Sequence, residues 1–72
     1  MKLSYYPETD SLYIDLSAKT SVDSKEISEG VVLDYDEDGN LVGIDIENAN
    51  EKLDLSEMVM VKMPVSAQKI YA

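Results

Sequence analysis

The sequence predicts an α+β fold: a small antiparallel β-meander of two hairpins plus an edge strand, covered on one face by a short helix. Two observations predict the sheet. Apolar and polar residues alternate in several short runs, and turn-forming residues separate those runs. A third observation predicts the helix: an acid-rich segment with asparagines at its start follows the last alternating run, with apolar residues four apart.

The first hairpin lies in MKLSYYPETDSLYIDLS. Leu3 and Tyr5 alternate with polar neighbours, as do Leu12, Ile14 and Leu16, and Pro7, Thr9 and Asp10 supply the turn. Pairing Leu3 with Ile14 and Tyr5 with Leu12 gathers all five apolar side chains on one face. Lys2, Ser4, Tyr6, Tyr13 and Asp15 then share the other. A slip of one residue would send one strand's apolar set to the wrong face, so the pattern selects this parity. The polar stretch that follows, AKTSVDSKEISEG, holds only Val22 and Ile27 as large apolar residues. It reads as a loop and a weak edge strand near residues 21–27, ending at Gly30, whose lysine and acids discourage further pairing.

The second hairpin is VVLDYDEDGNLVGIDI. A two-residue turn at Asp38 and Gly39, of the type that needs positive φ at both positions, sets Tyr35 against Val42, Leu33 against Ile44 and Val31 against Ile46. Lengthening the turn by one residue would set Asp34 against Ile44 and break the pattern. The same stretch carries Asp34, Asp36, Asp38 and Gly39 at the spacing of the front half of a calcium loop. The rest of that loop is missing: Val42 stands at the ninth position, Asp45 at the twelfth, and both flanks are β-like. The hairpin reading prevails, and weak divalent-cation binding by these aspartates is the alternative.

Residues 47–58, ENANEKLDLSEM, read as the helix. Asn48 or Asn50 can cap its start, Glu51 and Asp54 suit its positive end, and Ala49, Leu53, Leu55, Met58 and Val59 form a covering stripe. Residues 58–72 carry two lysines and no acid, against nine acids and one lysine in residues 34–57. MVMVKM is apolar on both parities apart from Lys62, as expected of a last strand of the same sheet or of a contact with another chain. The 72 residues make one domain, with the meander and helix in 1–57 and an apolar C-terminal segment in 58–72.

Composition narrows the chemistry. There is no cysteine, histidine or arginine. Thiolate chemistry, cysteine-bound metals and histidine-activated nucleophiles are therefore excluded. Fifteen acids face six lysines, a net charge of −9, which disfavours nucleic acid and anionic membrane and attracts a basic protein or a cation. No run of apolar residues is long enough for a membrane helix, and the first residues lack the apolar core of a secretory signal. The cytoplasm is the expected compartment.

The motifs YYPETDSLYI and GVVLDYDEDGNLVGIDI, with Tyr5, Pro7, Glu8, Asp10, Leu12, Tyr13 and Ile14 in the first, resemble a prokaryotic domain-of-unknown-function family, number twenty-two eighty-three. In the second, Gly30, Val31, Leu33, Asp34, Tyr35, Asp36, Glu37, Asp38, Gly39, Leu41, Val42, Gly43, Ile44 and Ile46 carry the likeness, and Asp45 stands where glutamate is commoner. The resemblance covers residues 1 to about 50. It implies a small β-meander with a helix, no assigned activity, and genes beside small toxin-like partners, hence a neutralising role.

Function is the least legible property. Asp34, Asp36 and Asp15 are the only candidates for paired-carboxylate catalysis, and a solvated sheet face offers neither excluded water nor shifted pKa values. No catalytic, cofactor-binding or metal-ligating set is read, and no enzyme is expected. The leading expectation is a protein-interaction module that binds a basic partner. The alternatives are a homodimer through the C-terminal segment and, more remotely, mimicry of nucleic-acid charge.

Overall fold

A computed structural model describes residues 1–61. Five strands follow in chain order: β1 (Lys2–Tyr6), β2 (Ser11–Asp15), β3 (Asp23–Ser28), β4 (Val31–Tyr35) and β5 (Leu41–Glu47). A single helical turn, α1 (Ala49–Lys52), comes next. The strands form one antiparallel sheet in the order β1-β2-β5-β4-β3. β2 therefore pairs with β5, and the link through residues 16–22 carries the chain to the far edge. That link is tied at both ends, by Leu16 N–H to the Val42 carbonyl at 2.9 Å and Val22 N–H to the Tyr35 carbonyl at 2.8 Å.

The first hairpin has the predicted register, with Leu3 opposite Ile14 and Tyr5 opposite Leu12. The apolar row continues across the sheet through Leu12–Ile46, Ile14–Ile44, Val31–Ile46 and Leu33–Ile44. β3 adds Lys25 opposite Leu33 and Asp23 opposite Tyr35, so this edge strand turns charges toward the apolar face.

The second hairpin departs from expectation at its turn. Asp36 N–H donates to the Asn40 carbonyl and Gly39 N–H to the Asp36 carbonyl, which closes a three-residue loop, Glu37-Asp38-Gly39. Only Gly39 has positive φ, at 82°, so the two-residue turn with positive φ at Asp38 is not formed. Left alone, this loop would set Asp34 against Val42 and flip every side chain below it. A bulge prevents that: Tyr35 and Asp34 are consecutive, while their partners Leu41 and Gly43 skip Val42. Tyr35 thus faces Leu41 rather than Val42, and Leu33 still faces Ile44.

The helix is also shorter than expected. After Lys52 the chain turns extended at Leu53 (φ −128°, ψ 154°). Asp54 then accepts the Ser56 N–H at 3.0 Å, a local bond that competes with continued helix. Lys52 folds back to donate to the Glu47 carbonyl at 2.6 Å. Met58–Val61 form neither strand nor helix and are exposed. The expectation of a last strand or a dimer contact at 58–72 otherwise falls on 62–72, outside the described residues.

Leu12, Val42 and Ala49 are the buried apolar residues among those described, and no large side chain there is fully buried. The apolar row of β2, β4 and β5 is half-open.

Candidate functional site

On the polar face the sheet is strapped by one tyrosine. Tyr13 on β2 lies over Gly43 on β5 and donates to Asp34 Oδ2 on β4 at 2.7 Å. Ser24 on β3 donates to the other oxygen, Asp34 Oδ1, at 2.6 Å. Four neighbouring strands are joined by two hydrogen bonds. A side chain at position 43 would collide with the Tyr13 hydroxyl and come within 2.7 Å of its Cζ, so glycine leaves the channel through which the ring passes. The bond to Asp34, burial, and the charges of Asp34, Asp15 and Asp45 push the Tyr13 pKa up to about 12. A phenol held this firmly neutral is a poor nucleophile or base near neutral pH.

The aspartates of the calcium-like spacing are dispersed by the fold. Asp34 belongs to the strap on the sheet face. Asp36, only 5% exposed, folds into its own loop. Its Oδ1 accepts the N–H groups of Asp38 at 3.0 Å and Asn40 at 2.9 Å, and Oδ2 accepts the Asn40 amide at 3.4 Å. Lys19 approaches Oδ2 at 4.0 Å. The Asn40 N–H above all holds the Asp36 carboxyl below the ordinary aspartate range. Of the three candidates for a carboxylate pair, Asp34 is taken up by the strap and Asp36 by its own loop, while Asp15 and Asp34 flank Gly43 in one cross-strand row. No group of three carboxylates among the described residues is placed to hold a metal ion.

A second polar cluster fixes α1. Asn48 stands at the N-cap position with left-handed φ of 52° and gives no side-chain cap. The cap comes from the far hairpin: Asp10 accepts the Asn50 N–H at 3.2 Å through its side chain and the Ala49 N–H at 2.8 Å through its carbonyl. Tyr5 donates to Asp10 Oδ1 at 2.8 Å, and the Asn50 amide donates to Asp10 at 2.8 Å and to Tyr5 at 3.1 Å. The Tyr5 hydroxyl is the main reason the Asp10 carboxyl titrates below its usual range, and that same bond raises Tyr5. Of the two asparagines expected as possible caps, Asn48 gives no side-chain cap, and the Asn50 side chain helps to hold the helix start by contacting Asp10.

The capping places residues 50–58 over one end of the apolar face. A groove of about 620 Å³ lies there, floored by Leu3, Leu12 and Ile14, walled by Leu53, Leu55 and Met58, with Asp54 and Glu57 among its lining residues. A smaller pocket of about 440 Å³ is lined by Lys19, Val22, Asp36 and Glu37 among others.

Residues 2–50 match the model of a family described as "Protein of unknown function (DUF2283)". The chain belongs to this family. No curated protein and no solved structure matches it. The span shared with the family includes the strap of Tyr13, Gly43 and Asp34, the loop of Asp36 and Gly39, and the capping cluster of Tyr5, Asp10 and Asn50. These family-span residues have a structural account in hydrogen bonds and backbone geometry. The walls of the groove, Leu53, Leu55 and Met58, lie beyond the shared span. No helix among the described residues is long and apolar enough to cross a membrane.

Sequence pattern alone did not find Tyr13, Asp10 or Gly43 as interacting residues. For Gly43 a signal was present: a glycine inside an apolar alternating strand marks a bulge or the close approach of another group.

Proposed function

We propose that this family member is a non-enzymatic protein-interaction module that engages a basic partner. The observation that carries the reading is a half-open apolar groove bordered by Asp54 and Glu57 on a chain of net charge −9. Acid around an apolar surface steers a basic partner and then rewards its contact. The polar clusters support the same reading from the other side. The carboxylates of Asp10, Asp34 and Asp36 are engaged in holding strands, loop and helix, and Tyr13 is kept neutral. In its neutralising form, the partner is inactive only while bound.

The test is isolation of the tagged full chain from its native host at low and at high salt, with mass spectrometry of what accompanies it. A stoichiometric basic protein, released by salt and lost from an Asp54→Lys, Glu57→Lys double variant, supports the proposal. Absence of any stoichiometric companion at low salt sinks it. Self-assembly is the second reading, favoured by the same half-open apolar row. A sedimentation mass that stays monomeric at high concentration rules it out.

A further inference from the structure

The two edges of the sheet are built differently. β3 carries the devices that discourage another strand. Asp23 and Lys25 sit on the apolar face, Ile27 is skipped in the register with β4, and all six residues are exposed. β1, Lys-Leu-Ser-Tyr-Tyr, has neither a charge on the apolar face nor a skipped residue. Its five residues pair regularly with β2, it contains no acid, and Lys2 is its one charge. Among the described residues, no strand pairs with its outer edge. Unpaired backbone groups on a regular edge are a template for strand addition.

The groove opens on the apolar side of this same edge. Leu3 and Tyr5 of β1 line it, and Asp54 and Glu57 are on the opposite bank. We infer that the outer edge of β1 receives an extended, basic segment of a partner protein. The added strand sets apolar side chains beside Leu3 and Tyr5, and a lysine or arginine further along the same face meets Asp54 and Glu57. Charge selects the occupant: a second copy would bring its own net charge of −9 against the acidic bank, whereas a basic strand complements Asp54 and Glu57. This inference rests on the interaction-module reading and names its site and the chemistry of its partner.

The experiment is an amide NMR titration of the isotope-labelled full chain with the peptide Lys-Ser-Val-Ser-Val-Ser-Lys, whose lysines and valines share one face as a strand. A peptide with glutamates in place of the lysines, and one that alternates Lys and Val and so sets them on opposite faces, are the controls. The expected result is shifts and slowed amide exchange at Lys2–Tyr6 and along the groove, only with the peptide that carries Lys and Val on one face. Leu3→Lys weakens binding by about tenfold or more, because an apolar contact is replaced by a like charge. Ile27→Lys makes the same exchange on the opposite edge and leaves affinity within about twofold. Leu3 is 46% exposed and Ile27 54%, so both exchanges are made at the surface. Should Leu3→Lys disturb the fold, Met58→Lys on the exposed wall of the groove serves instead.

Shifts centred on β3, or equal binding of the glutamate peptide, overturn the inference. So do concentration-dependent shifts in β1 without peptide, which assign the edge to a second copy. β1 amides that open only on deletion of residues 62–72 assign the edge to the chain's own segment and overturn the inference equally. A host partner whose footprint misses β1 overturns the edge assignment alone. No host partner at any salt overturns the reading beneath it.

Discussion

Tyr13 and Gly43 form a pair in which each residue accounts for the other. The ring crosses β5 only because Gly43 has no side chain, and in crossing it reaches Asp34. Gly43→Ala is expected to destabilise the protein by about 1–3 kcal/mol, as overpacking does. Tyr13→Phe, which removes one hydrogen bond and leaves Ser24 on Asp34, is expected to cost about 1 kcal/mol. In a Tyr13→Ser background the glycine exchange should become much cheaper, and a double-mutant cycle by urea denaturation measures the difference. The same strap has an alkaline signature. The Tyr13 pKa is raised from 10.0 to about 12, so its stabilisation is present below pH 10 and lost as pH rises through about 12. Tyrosinate absorbance should show this phenol ionising late in the folded protein, and at its ordinary position in Gly43→Ala if the ring is displaced. At the start of α1, Asp10→Ala should destabilise more than Asn48→Ala, because Asp10 holds the helix and Asn48 makes no side-chain cap. Thermal melts of the two variants decide it. Sequence pattern gave the face on which Tyr13 lies, since alternation sets that. It did not give Asp34 as its partner, which follows from β2 lying beside β5 rather than from any local spacing.

At the scale of elements, the loop and the bulge of the β4–β5 hairpin are one device. The loop Glu37-Asp38-Gly39 shifts the register, and the skipped Val42 shifts it back. The apolar pattern was thus a sound guide to Leu33–Ile44 and Val31–Ile46, where a slip would expose half a face. It could not distinguish a plain two-residue turn from a longer loop with a compensating bulge, because both deliver the same lower ladder. Gly39 has φ of 82°, and a methyl group on its Cα would meet no atom within 4 Å. Gly39→Ala should therefore cost only the backbone term, about 1–2 kcal/mol. Gly30, at φ 73°, would meet Lys52 Nζ at 2.5 Å and Glu47 Cβ at 3.2 Å. Gly30→Ala should cost more than Gly39→Ala, and chemical denaturation of the two variants tests the order. The helix was overread for a related reason. Apolar spacing in residues 47–58 suits a helix, but Asp54 and Ser56 satisfy each other locally and end it after one turn.

For the whole molecule, net charge sets the response to solution conditions. At −9, the folded chain is compressed against its own repulsion, so added salt should raise Tm up to about 0.1 M, where the screening length falls to about 10 Å. Acid acts in the opposite sense on the clusters. Asp10 and Asp36 titrate below the ordinary value of 3.8, so their contribution is present above that value and lost as pH falls through their lowered pKa values. Asp36→Asn should blunt the acid end of a pH–stability profile. The fold class was legible because its strands alternate cleanly and its turns are marked; the strand order was not, since no local feature says that β2 meets β5. That order has a kinetic consequence. The chain makes two local units, β1–β2 and β3–β4–β5, whose only ladder to each other is the β2–β5 seam. Each unit closes through short turns, whereas the seam brings together residues far apart in the chain, and such non-local closure is the slow part of folding. Tyr13, spanning that seam to reach Asp34, would be the last strap fastened and the first released, so its ionisation provides a clock for the final step of assembly.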